Sequence, residues 1–249
     1  MSDLVRIHDD GAIRTVRMNR AEKKNALTVP MYDAMAAAIE GVAPSTRCIV
    51  IAGAPGAFSA GNDLQDFLTA ADNAEGFAPP LLRFLHVLAR AETPLVAAVN
   101  GLAVGIGTTM LLHCDHVVAS RDARFVTPFV PLGLVPEAAS SLLAPRRMGH
   151  ARAFSLLAMG RPLDAAGALA AGLVNTVVDA AEVEPEAMKA AREIAALPAA
   201  ALAATRRLLR GSPDETVARI DTEAELFKRH LASREARDAF AAFLEKKKS

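Results

Sequence analysis

The chain has 249 residues, 52% of them hydrophobic, enough to bury the core of one large domain or of a domain with an appendage. Twenty-eight basic residues cancel 28 acidic ones. No basic stripe is present, which argues against general nucleic-acid binding. Cys48 and Cys114, the only two cysteines, lie in apolar runs as core thiols and build no disulfide framework.

The start, "MSDLVRIHDD", lacks the basic and apolar regions of a signal peptide, so a cytoplasmic protein is expected. No run reaches the ~20 apolar residues of a membrane span. The longest, 93–112, is broken by Asn100, Gly101, Gly105 and Gly107.

Ala12–Met18 alternates apolar and polar residues, which predicts a strand. A polar loop, "NRAEKKNALT", leads to a helix over 29–40 with Thr28 at its cap. "RCIVIAG" reads as a buried strand, and "GAFSAGNDLQDF" breaks the apolar pattern directly after it. Pro79 and Pro80 are placed to start a helix whose apolar face carries Leu81, Leu82, Leu85 and Leu88. "PLVAAVN" is a further buried strand, followed by "GLAVGIG" and an apolar helix through Leu112. "HVVAS" and "RFVTP" read as short strands. Helices are expected near 136–148, 151–159 and 164–171, then the strand "LVNTVV". From Glu184 onward the pattern is helical, interrupted at Pro198 and Pro213. Strand–helix alternation with a helical tail predicts an α/β fold, a core over 1–190 and a C-terminal helical segment over 191–249.

Two small-residue loops, "SAGND" and "NGLAVGIG", each follow a buried strand. Backbone N–H groups there can point into a shared crevice and hold an oxyanion, or the loops can simply be two tight turns. The glycines match neither G-x-G-x-x-G nor a phosphate loop. His113, Cys114, Asp115 and His116 have no further ligands in a metal-binding pattern, so no metal site is expected. Asp63 and Asp66 read as turn and capping residues. In "FVPLGLVPEAASSLL", Pro136 suits a first helical turn, which places Glu137 at a helix start among apolar neighbours. Helix-end donors would favour its carboxylate, whereas apolar surroundings would raise its pKa towards that of a general base. Simple dipole compensation is the commoner reason for an acid at that place.

Taken in order, "NRAEKKNAL", "AFSAGNDL", "PLVAAVNGLAVGIGTTMLLHCD", "ARFVTP", "LGLVPEAASSLL" and "AAGLVNTVV" resemble the crotonase superfamily, the enoyl-CoA hydratase/isomerase family. The resemblance implies a spiral of ββα units with C-terminal helices that commonly build trimers or dimers of trimers. It also implies an acyl-CoA thioester as substrate, with coenzyme A as part of that substrate and no separate cofactor. The thioester oxygen would lie between the backbone N–H groups of Asn62 and Ile106. An isoleucine at 106, where many members have glycine, raises the question of whether the backbone keeps the required angles. The loop around Lys24 and Ala26 matches the segment that contacts the CoA nucleotide end. Ala60, Gly61, Asp63 and Leu64, with Gly107 and Leu132, match positions lining the same site.

The two glutamates that family hydratases use match Thr109 and Phe129 here, neither able to exchange a proton in that role. Glu137 matches the single catalytic glutamate of the 3,2-enoyl-CoA isomerase branch. The resemblance therefore implies isomerisation. Hydration or another enolate-forming acyl-CoA reaction, and a catalytically silent acyl-CoA-binding or assembly protein, are the alternatives.

Overall fold

The computed structural model describes residues 4–63 and 79–246. Leu64 and Asp66 lie outside the described residues. A six-stranded sheet runs through the molecule in the order β1 (Val5–Asp10), β2 (Ile13–Met18), β3 (Cys48–Gly53), β4 (Leu95–Val99), β6 (His116–Ser120), β9 (Thr176–Val178). Only β1 and β2 pair antiparallel, joined by a tight turn with Gly11 at φ 58°; every later pairing in this sheet is parallel. A smaller sheet joins β5 (Leu102–Val104) and β7 (Arg124–Val126) in parallel, with β8 (Leu163–Asp164) antiparallel to β7.

The apolar runs of β3, β4 and β6 are buried on both faces, as strands sandwiched between helices must be. Alternate residues divide between two cores. Ile49, Ile51, Ala97, Val99, Val117 and Ala119 pack with α1 (Val29–Glu40) and α2 (Pro79–Arg90) in the main core. Val50, Ala52, Val96, Ala98 and Val118 face Val183, Ala187 and Ala191 of α7 (Val183–Ala196). Cys48 and Cys114 are buried free thiols, and burial pushes both up to about 12.

Between these lie α3 (Ile106–Thr109), α4 (Ser140–Met148), α5 (His150–Leu157) and α6 (Ala165–Ala170). Then come α8 (Ala199–Arg210), α9 (Pro213–Leu231) and α10 (Arg234–Lys246). Pro198 and Pro213 stand at the starts of α8 and α9, where a missing N–H costs nothing. The C-terminal helices fold back on the core. α9 packs on α2 and α4, and α10 packs on the short turn Val130–Leu132.

Several sequence expectations shift. β1, "VRIHDD", is a strand not expected from the sequence; Val5 is its single buried residue, and Ile7, in alternation with it, is exposed. Thr28 occupies the cap position of α1, but its hydroxyl makes no capping bond and is buried without a partner. The apolar helix expected through Leu112 is one turn, α3, continued by the 3-10 turn Met110–His113. The helix expected from Pro136 begins at Ser140. Glu137 therefore precedes that helix instead of sitting in its first turn.

Candidate active site

The parallel strands end on one edge of the sheet, and the loops after β2, β3 and β4 meet there. They are joined by backbone hydrogen bonds. The Ser59 N–H donates to the Leu102 carbonyl at 3.0 Å, and the Val104 N–H donates to the Ser59 carbonyl at 2.9 Å. The loop after β2 closes on the same segment. The Ala60 N–H donates to the Lys24 carbonyl and the Leu27 N–H to the Gly61 carbonyl, each at 2.8 Å. Buried Asn25, at φ 54°, reaches across with its side-chain amide to the carbonyls of Ala54 and Ala57, at 3.0 and 2.7 Å.

These contacts explain the run of small residues after β3. Gly61 has φ +88°, and a Cβ there would lie 2.8 Å from the Val104 carbonyl oxygen. A Cβ on Gly107 would lie 2.9 Å from the Ser59 carbonyl oxygen. Two main chains approach so closely only without side chains between them.

Asn62 follows Gly61, and Ile106 opens α3. Among the described residues, neither N–H donates to a protein acceptor. That is expected of the first N–H of a helix for Ile106. Its isoleucine is tolerated because the positive φ, 54°, falls on Gly105, and Ile106 buries its side chain in the main core. The Asn62 side chain is held from below by the hydroxyl of buried Tyr32, which donates to its Oδ1. The Asp63 N–H is not free for a ligand: it donates to the Leu27 carbonyl at 2.8 Å, and its carboxylate pairs with Arg20 at 2.6 Å. Lys24, at φ 51°, is exposed, and the Ala26 carbonyl accepts from Arg20 at 3.1 Å. Leu132 is half-buried beneath α10, and Phe129 is a core ring.

One turn beyond Ile106, Thr109 links this pair of loops to Glu137. The Thr109 hydroxyl lies 3.0 Å from Glu137 Oε1 and 3.3 Å from the Gly105 carbonyl oxygen. With one proton to give, it serves one acceptor at a time, and a protonated Glu137 can donate to it in return. Glu137 has no exposed surface, and its Oε2 has no partner. Burial pushes its carboxyl up to about 8; the Thr109 bond opposes this and the charge of Glu223 adds to it. The helix-end donors expected to favour its carboxylate serve another residue. The Ala139 and Ser141 N–H groups donate to Glu223, at 2.6 and 3.0 Å.

Sequence reasoning gave no role at this site to Asn25, Ser59, Tyr32 or Glu223, and weighed His113 only as a metal ligand. Buried His113 donates through Nε2 to the Ala138 carbonyl at 2.8 Å, and burial holds the imidazole down to about 4, so it is neutral at pH 7. Among the described residues no group of side chains could hold a metal ion, and no helix is long and apolar enough to cross a membrane. Cavities of about 650 and 590 Å³ lie against α1–α2 and α2–α8, and neither is lined by Asn62, Ile106 or Glu137.

Residues 8–249 match the family model described as enoyl-CoA hydratase/isomerase, and the chain belongs to that family, with the crotonase fold. An enoyl-CoA hydratase/isomerase structure from Pseudoalteromonas atlantica superposes with a TM-score of 0.92 at 41% identity, covering 98% of each chain. Enoyl-CoA delta isomerase 2 of Rattus norvegicus is 34% identical over 97% of this chain, which spans 63% of that longer protein. A probable enoyl-CoA hydratase of Rhizobium meliloti is 32% identical over 98% of this chain and 95% of its own length.

Two outcomes follow from this geometry. Gly61→Ala forces a side chain into a left-handed, filled position, and thermal unfolding should show a loss of about 1–3 kcal/mol. The raised carboxyl of Glu137 binds its proton more tightly in the folded than in the unfolded chain. Its contribution to stability is therefore full below the unfolded value of about 4.5 and is lost as pH rises towards about 8. Melting temperatures measured between pH 5 and 9 should fall less steeply for Glu137→Gln than for the unaltered protein.

Proposed function

We propose that the protein is an enoyl-CoA isomerase that moves the double bond of a 3-enoyl-CoA to the 2-position, with Glu137 as its only acid and base. The supporting observation is the state of that carboxyl: buried, raised, one oxygen bonded to Thr109 and the other unpaired. A base with a pKa near the working pH both takes and returns a proton readily.

The ionised carboxylate removes a proton from C2 of the bound thioester. The electron pair moves onto the thioester oxygen, which the N–H groups of Asn62 and Ile106 stabilise as an enolate. The pair then returns to make C2=C3, and the π pair of C3=C4 takes the proton of the Glu137 carboxylic acid at C4, leaving a C3–C4 single bond and the carboxylate. Hydration would call for a second carboxylate to orient water. The residues at the matched positions are Thr109 and the core ring of Phe129, and the other buried carboxylate among the described residues, Glu223, has both oxygens engaged by backbone amides.

Coenzyme A enters as part of the substrate, and the loop of Lys24 and Ala26, with Ala60, Gly61, Gly107 and Leu132 lining the site, receives it. No separate cofactor takes part in the scheme. A homotrimer, or a pair of trimers, belongs to the same reading, and the nearly fully exposed Leu208 and Leu209 of α8 suit an interface between copies.

The purified protein should convert 3-enoyl-CoA to 2-enoyl-CoA without adding water, when migration and hydration are followed separately. Glu137→Gln should lower migration by about 10²–10⁴-fold while CoA ligands still bind. Hydration alone would reject the isomerase, and binding of CoA ligands with neither reaction would favour a silent binding protein. Sedimentation should give three or six times the 26.2 kDa chain mass; a monomer at micromolar concentration would reject the assembly.

A further inference from the structure

Glu137 is carried by a segment whose backbone is unusual for its sequence. Ala138 and Ala139 follow it at φ 60° and 54°, a left-handed conformation in which alanine is strained. Such a turn persists only where its surroundings over-determine it. Three bonds do so. The Ser140 hydroxyl donates to the Glu137 carbonyl at 2.6 Å, His113 donates to the Ala138 carbonyl at 2.8 Å, and Glu223 accepts the Ala139 and Ser141 amides. Glu223 comes from farthest along the chain: it projects from α9, 84 residues from Ala139, and is 4% exposed. Burying a carboxylate costs several kcal/mol unless it is well bonded, and this site offers it the Ser141 hydroxyl, the two amides and the charge of Arg219.

We propose that Glu223 is a positioning residue for Glu137, its carboxylate locking the left-handed Ala138–Ala139 turn through the two amides and setting a negative charge near the Glu137 carboxyl. The proposal rests on the isomerase reading of Glu137. Two buried carboxyls in one neighbourhood resist joint ionisation, and bonding decides which gives way. Glu223 receives two backbone N–H bonds and is raised to about 7, whereas Glu137 receives one hydroxyl and is raised to about 8. Of the pair, Glu223 is the anchor and Glu137 the proton carrier.

Few other charges face the pair. Arg219, on α9 itself, favours ionised Glu223 and donates to the Ser141 hydroxyl at 3.1 Å. From α2, His86 bonds Asp221; from α4, Arg146 bonds Glu215; and neutral His113 meets the Ala138 carbonyl.

The test compares Glu223→Gln and Glu223→Asp with the unaltered enzyme in 3-enoyl-CoA isomerisation across pH 5.5–9.5, each variant checked for folding by its melting curve. In Glu223→Gln, kcat should fall at least about tenfold with KM nearly unchanged. The acid-side midpoint of kcat/KM should also move down by about half a pH unit or more, because removing the neighbouring negative charge eases ionisation of Glu137. Glu223→Asp keeps the charge but shortens the reach, so kcat should fall while the midpoint stays. This variant decides the matter if the glutamine protein does not fold. A folded Glu223→Gln with an unmoved midpoint, or a Glu223→Asp with unaltered kcat, would overturn the proposal. If Glu137→Gln itself retained full isomerisation, the functional reading would fail instead.

Discussion

A carboxyl group with no exposed surface and an unpaired oxygen is costly to place in a protein core, and the arrangement around Glu137 is shaped by that cost. The group avoids most of the penalty by holding a proton, which is why its pKa lies near 8. The backbone beneath it then has to remain in a left-handed turn that alanine does not favour. Thr109 from α3, His113 from the following 3-10 turn, and Glu223 from α9 each restrain one part of that segment. Three elements distant in sequence are thereby committed to one side chain.

The other half of the site is built almost wholly from main chain. Ser59 is bonded through its N–H and carbonyl to Leu102 and Val104, so the loop after β3 and the strand after β4 are registered to each other. Gly61 and Gly107 permit the approach, and the adjoining Asn62 and Ile106 have N–H groups that find no protein acceptor among the described residues. A site made of peptide groups tolerates changes of side chain, which is how an asparagine and an isoleucine can stand at these positions. Side chains still contribute indirectly: Tyr32 holds the amide of Asn62, and Asn25 ties the loop after β2 to that after β3.

The C-terminal helices belong to this machinery as well as to the outer shell. α9 delivers Glu223 to the start of α4, and α10 covers the Val130–Leu132 turn so closely that a Cβ on Gly133 would lie 2.8 Å from the backbone of Ala236. A segment whose own sequence reads as an amphipathic tail therefore completes the surroundings of a group in the core.

Much of the framework was legible in the sequence. The runs "CIVIAG", "LVAAV" and "HVVAS" could be little else than buried strands, α1 was expected over 29–40 behind Thr28, and Pro198 and Pro213 marked breaks in the helical tail. These are local signals, fixed by apolar runs and backbone stereochemistry. The glycine spacing around Asn62 and Ile106 likewise announced close backbone approach, and the ordered motifs pointed to the family that the comparison with residues 8–249 shows. What local signals misplaced was Glu137. Proline at 136 suggested a helix start with free donors for its carboxylate, yet the helix begins at Ser140 and its donors go to Glu223. No residue between 130 and 145 encodes that outcome, because it depends on a carboxylate arriving from 84 residues away. Sequence determined which residues could carry a proton or bare an amide. Tertiary packing decided which of them would be desolvated and held, because burial and charge are set by neighbours in space.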